Sequence, residues 1–155
     1  QGHYDEAERE LEASPASMEL VSAKALIKLE RGDARGALEL LDSIQNQPKA
    51  LNDELLSDEV LVTRGRALCS LGRTAEGLPL LEQFMARLAG KQYAHSPNLA
   101  HLRSVIGLCA LRAGRRDRAT ALAQLSRQAF LAQPGVSPYY KAPLLQLESA
   151  LSRRS

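Results

Sequence analysis

The residues able to do chemistry are few and widely spaced. Two cysteines, Cys69 and Cys109, sit inside apolar helical stretches with no second Cys two or three residues away, and the three histidines are His3, His95 and His101. Zinc needs about four such ligands in a tight local grouping, so no metal site is expected. The cysteines read as buried free thiols of a reducing compartment. His101 and Cys109 stand two helical turns apart, too far for a base to activate a thiol on one helix. Acidic pairs at Asp5-Glu6, Asp53-Glu54 and Asp58-Glu59 fall where helices start, and there they offset the helix dipole. No Ser/His/Asp order and no phosphate-cradling glycine loop is present. The chain is therefore expected to be non-catalytic, without cofactor or metal.

The elements around these residues are helical. The chain has 155 residues, 45% of them hydrophobic and only 4% aromatic, with no Trp. Leu and Ala dominate and β-branched residues are scarce, a bias that favours helix because such side chains lose little rotamer freedom there. No apolar run approaches the roughly 20 residues that a bilayer-spanning helix needs. No export signal precedes the first helix, so the cytoplasm is the expected compartment, or the periplasm if an upstream signal has been removed.

Formal net charge is only +2, but it is unevenly laid out. Residues 1–60 carry 14 acidic and 6 basic side chains, whereas 61–155 carry 4 and 14, giving halves of −8 and +10. Such polarity can steer an oppositely charged partner or pack copies head to tail.

Self-similarity organises the chain. "GHYDEA" (2–7), "GDARGA" (32–37), "GRTAEG" (72–77) and "GRRDRA" (114–119) each place a small residue five positions after a glycine: Ala7, Ala37, Gly77 and Ala119. Leu11, Leu41, Leu81 and Ala123 follow four later, and Ala25, Gly65 and Gly107 stand seven before the last three glycines. A glycine that can turn the chain left-handed, flanked by small residues that let two rods approach, predicts a helical hairpin. Large residues at helical spacing, among them Leu61, Leu68, Leu71 and Leu108, fill the surrounding space.

This pattern resembles the tetratricopeptide repeat over nearly the whole chain. It departs from that family in lacking Trp, in placing Lys28, Leu68 and Ala110 where the first helix carries a large aromatic, and in turn-glycine spacings of 30, 40 and 42. The longer spacings resemble the extended repeats of bacterial regulators and kinesin light chains. The resemblance implies an all-α, right-handed superhelix of antiparallel hairpins with a C-terminal capping helix. The repeat boundaries are 1–14, the second helix of a repeat whose first helix lies upstream; 15–48; 49–92; 93–134; and the cap at 135–155. Expected helices are 4–13, 15–31, 34–47, 53–71, 74–89, 97–113, 116–132 and 138–152. Ser14-Pro15, Ser96-Pro97 and Ser137-Pro138 read as caps, with Ser57 or Asn52 before the fourth helix. Pro79 and Pro143 predict a late start or a kinked first turn.

In this family the first helices line a concave groove that receives a partner helix or peptide. By position, the resemblance puts Ser22, Leu26, Leu29 and Glu30, then Val62, Arg66, Cys69 and Ser70, then Ser104, Leu108, Leu111 and Arg112 along it. The alternative for the leucines is core. The family's carboxylate-gripping Lys and Asn are absent, so an amphipathic helix or mixed segment fits better, with Arg66 and Arg112 as polar handles. A basic face of Arg103, Arg115, Arg116, Arg118 and Arg127, with Arg153 and Arg154 nearby in sequence, reads as a solvated face or a site for an acidic protein ahead of nucleic acid, because charge runs are usually solvated and aromatic platforms are few. The expected role is a scaffold for another protein or peptide, an acidic one suiting the basic face, within a larger bacterial signalling, regulatory or assembly protein. The competing reading is a sensor whose curvature changes when a peptide or small ligand binds.

Overall fold

The computed structural model describes residues 18–44, 54–89 and 96–153. Those residues form seven α-helices and no strand: α1 Met18–Glu30, α2 Ala34–Ile44, α3 Glu54–Ser70, α4 Thr74–Ala89, α5 Pro97–Arg112, α6 Arg116–Leu131 and α7 Pro138–Ser152. The first helix expected, 4–13, and the caps at Ser14 and Asn52 lie outside the described residues. Ser57 falls inside α3, which begins before it at Glu54.

Three hairpins turn on three glycines. Gly32, Gly72 and Gly114 have φ of 87°, 79° and 74°. A Cβ at any of them would meet nothing within 4 Å, so backbone conformation alone calls for glycine. Each turn closes identically. The glycine amide bonds back three residues, to Leu29, Cys69 and Leu111, and the next amide bonds back five, Asp33 to Lys28 at 2.8 Å, Arg73 to Leu68 at 2.9 Å and Arg115 to Ala110 at 2.8 Å. This pairing satisfies carbonyls that would otherwise end the helix without donors.

The small residues do what their spacing predicts. Ala25 and Ala37 are fully buried. In the second hairpin a Cβ on Gly65 would stand 2.8 Å from Leu81 Cγ and 3.1 Å from the Gly77 carbonyl, while one on Gly77 would stand 2.6 Å from the Gly65 carbonyl. Those two backbones touch because neither residue has a side chain. At Gly107 the constraint comes from α7, since a Cβ there would collide with Leu147.

Caps explain other helix starts. Ser96 Oγ accepts from Leu99 N at 3.1 Å with Pro97 at the first helical position, and Ser137 Oγ accepts from Tyr139 N. Asp33, not singled out by the sequence pattern, caps α2 by accepting from Gly36 N at 2.8 Å. That bond, then the hydrogen bond from Lys28, holds the Asp33 carboxyl below its ordinary pKa. Neither internal proline delays its helix: α4 begins at Thr74 and α7 at Pro138, with Pro79 and Pro143 each a turn or more inside.

Helices pack on their chain neighbours, and α1 also touches α3, α3 touches α5, and α5 touches α7. Two apolar cores result. One joins Ala25, Leu29, Ala37, Leu38, Leu41 and Ile44 to Ala67 and Leu68 of α3; the other runs from Cys69, Leu78 and Leu81 through Leu99, Ile106 and Leu122 to Leu144 and Leu147. No helix among the described residues is long and apolar enough to cross a membrane.

Part of the charge division is spent inside the molecule. Glu30 pairs with Arg66 at 2.6 Å, Asp42 with Arg64 at 2.5 Å, Asp58 with Arg87 at 2.5 Å and Glu82 with Arg118 at 3.7 Å. In every case the acid sits on an earlier helix than its arginine. The first three of these pairs join the acidic half of the chain to the basic half.

Candidate functional site

The first helices of the hairpins, α1, α3 and α5, together with α7, enclose a groove of about 230 Å³. Glu30, Arg66, Cys69, Ser70, Leu108 and Arg112 of the expected set line it. The other six do not. Ser22 and Ser104 are 2% and 0% exposed, and the Ser104 hydroxyl donates to the Ala100 carbonyl at 2.9 Å. Leu29 is core, and Val62 and Leu111 pack against the second cluster. Leu26 is half-buried and outside the groove.

The reason is a one-residue rotation of the assigned face. On α5 the lining residues are His101, Val105, Leu108, Cys109 and Arg112, a stripe at i, i+4, i+7, i+8 and i+11. Helical periodicity puts Ser104 and Leu111 one residue around, toward the core. The fourth wall was missed altogether. Tyr139, Ala142, Pro143 and Gln146 of α7 form another i, i+3, i+4, i+7 stripe, so the expected cap also builds the site. That stripe is legible in the sequence once α7 is treated as a wall.

Each junction between groove-forming helices carries its own tie. At α1–α3 it is the Arg66–Glu30 ion pair, whose side chains are only 18% and 22% exposed. At α3–α5 it is a disulfide between Cys69 and Cys109, which replaces the two free thiols expected from the sequence. Two cysteines lacking local partners are brought together by hairpin stacking, a long-range event that sequence spacing did not reveal. Beside the disulfide, Arg112 Nη1 donates to the Cys69 carbonyl at 3.2 Å, adding a donor to the end of α3. At α5–α7, His101 Nδ1 lies 3.3 Å from the Tyr140 carbonyl, and its ring stacks on Tyr139 at 5.4 Å and 17°. A carbonyl can only accept, so Nδ1 carries the proton. Burial, then the nearby Arg66, lowers the His101 pKa against smaller opposing effects of the Tyr140 carbonyl and Glu30. The imidazole is therefore neutral near pH 7, and Nε2 is free of a proton.

The arrangement offers an apolar floor of Val105, Leu108, Pro143 and the disulfide, flanked by two guanidiniums, one carboxylate and neutral hydrogen-bonding groups. Among the described residues no three His, Cys, Asp or Glu gather as metal ligands. Comparisons with protein-family models, curated proteins and solved structures found no match to the chain.

The basic residues divide between uses. Arg127 pairs with Glu148 at 2.7 Å, and Arg116 donates to the Leu151 carbonyl, so both fasten α6 to α7. Arg103 and Arg118 edge a second cleft of about 460 Å³, with Glu82, Met85, Leu99, Leu122 and Leu125. Arg115 is exposed at the α5–α6 turn. Arg154 lies outside the described residues.

Proposed function

We propose that the chain is a tetratricopeptide-like repeat module, wound as a right-handed superhelix, that holds an extended or helical segment of a protein partner in the groove bounded by α1, α3, α5 and α7. The observation that carries this reading is the lining itself: one concavity joins residues of four helices and mixes an apolar floor with charged and hydrogen-bonding walls. Sites of that composition orient a ligand by a few polar contacts while burying its apolar side chains. Glu30 neutralises Arg66, and no ion pair with Arg112 occurs among the described residues. The groove is then net cationic at the Arg112 end. An acidic side chain beside an apolar one is the segment that suits it, and the role is to hold rather than to transform.

The compartment reading changes with the cysteines. A disulfide persists where thiols are oxidised, so the proposed setting is extracytoplasmic rather than the cytoplasm expected from the sequence.

The test is selection of displayed 12-residue peptides on the oxidised protein, followed by titration against Ala142→Trp, which fills the groove from α7, and Leu125→Asp, in the second cleft. Selected peptides should be enriched in acidic and apolar residues and lose at least about tenfold in affinity to the first variant only. Peptides that ignore Ala142→Trp would remove the groove as the site.

A further inference from the structure

The ties across the groove differ in kind, and only the central one is covalent. Cys69 is on the last turn of α3 and Cys109 in the second half of α5, 40 residues apart in sequence and 5.4 Å between Cα atoms. Both side chains are almost fully buried, yet both line the groove, which gives a reagent its route to the bond. α3 and α5 touch each other far less than each touches its own hairpin partner. The disulfide and the Arg112 bond to the Cys69 carbonyl therefore supply much of what fixes their separation on this side.

We propose that the Cys69–Cys109 bond is a redox clasp for the groove: oxidised, it pins α3 to α5 and completes the groove floor; reduced, it lets the two hairpins shift and the floor open. The packing around the sulfurs supports coupling between oxidation state and helix position. A Cβ added to Gly77 of α4 would lie 2.7 Å from Cys69 Sγ, so that sulfur is pressed against the backbone of its hairpin partner. Two thiols must stand at van der Waals contact, farther apart than bonded sulfurs, and Cys69 cannot retreat toward Gly77 to make that room. The room has to come from the Cys109 side, and because Cys109 is 1% exposed within the core cluster, movement of α5 against α3 is the proposed route. The same movement displaces Arg112 from the Cys69 carbonyl and frees its guanidinium.

The chemistry is thiol–disulfide exchange. A thiolate of a dithiol donor, either a small reagent or a dithiol protein, attacks one sulfur and forms a mixed disulfide while the other leaves as thiolate. The donor's second thiolate then displaces the remaining cysteine. Cys69 and Cys109 gain two electrons and two protons, and the donor ends as its own disulfide. The reverse exchange with a disulfide-bearing oxidant installs the bond.

The consequence for capture rests on the groove being the partner site; the geometric change does not. The protein purified without reductant should take up no alkylating label, and two labels per chain after dithiothreitol. At 25 °C reduction should leave helical circular dichroism unchanged, yet shift assigned amide resonances of Arg66, Val105 and Tyr139, groove-lining residues of α3, α5 and α7 that do not flank either cysteine. Melting should fall by about 10 °C. Cys69→Ser with Cys109→Ser should reproduce the reduced spectrum, and groove-selected peptides should bind at least about tenfold more weakly to both. Three results would overturn the clasp: two labelled thiols before reduction, resonance changes confined to the residues flanking each cysteine, or global unfolding on reduction, which would make the bond a plain stabiliser. Peptides insensitive to both Ala142→Trp and reduction, with the spectral change intact, would instead sink the groove as a binding site while leaving the clasp standing.

Discussion

The α1–α3 and α3–α5 junctions occupy successive places in the stack and are held by unlike chemistry. Arg66 and Glu30 hold the first by a charge pair that is four-fifths buried, and Cys69 and Cys109 hold the second by a bond. A partly buried ion pair gains in Coulomb energy roughly what it loses in desolvation, so it contributes orientation more than stability. A covalent bond that closes a loop of about 40 residues removes on the order of 4 kcal/mol of freedom from the unfolded chain. Successive repeats can thus be alike in backbone while one junction answers to salt and the other to redox state.

Both junctions rest on sound hairpins, so damage to one hairpin should have the largest effect. Gly65→Leu forces a side chain against Leu81 and the Gly77 carbonyl, and the expected cost is about 3 kcal/mol, read as a melting temperature lower by roughly 6 to 12 °C. An unchanged melting temperature would mean that α3 and α4 do not approach as described. At the ion pair, Glu30→Gln should cost about 1 to 2 kcal/mol in denaturant unfolding, less than a fully buried pair because both groups keep some solvent. A double-mutant cycle with Arg66→Met should recover part of that loss, and a coupling of zero would leave the α1–α3 junction without its tie.

The smallest effect belongs to the α5–α7 junction. The folded state lowers the His101 pKa, so the unfolded chain binds the proton more readily. Stability attached to this group is complete above the unfolded value of about 6.5 and declines as pH falls through it toward the lower folded value. Unfolding free energies measured from pH 7.5 to 5 should fall more steeply for the wild type than for His101→Gln. Parallel profiles would show that the imidazole is not held neutral by this packing.

What the sequence disclosed about this molecule was mostly local. Gly32, Gly72 and Gly114 were legible as turns because a positive φ is a demand on one residue, and Gly65 with Gly77 because close approach needs two small residues at fixed offsets. The groove was legible by half. Glu30, Arg66 and Arg112 are long and polar, and their helical positions sufficed, whereas Ser104 is buried and Leu111 packs against the core because a shift of one residue turns a helix by about 100°. The disulfide depends on the offset between hairpins: Cys69 lies three residues before its turn glycine and Cys109 five before its own, so repeat arithmetic alone does not superimpose them. Tyr139 and Gln146 were hidden by the assumption that a terminal helix only covers what precedes it.

One helix belongs to both apolar clusters. Ala67 and Leu68 of α3 face the N-terminal one while Cys69, the next residue, is part of the other. Two bodies of packing therefore share a spine, and losing either strips one side of it. Amide hydrogens along this helix should be among the slowest to exchange, since releasing them requires both neighbourhoods to open together.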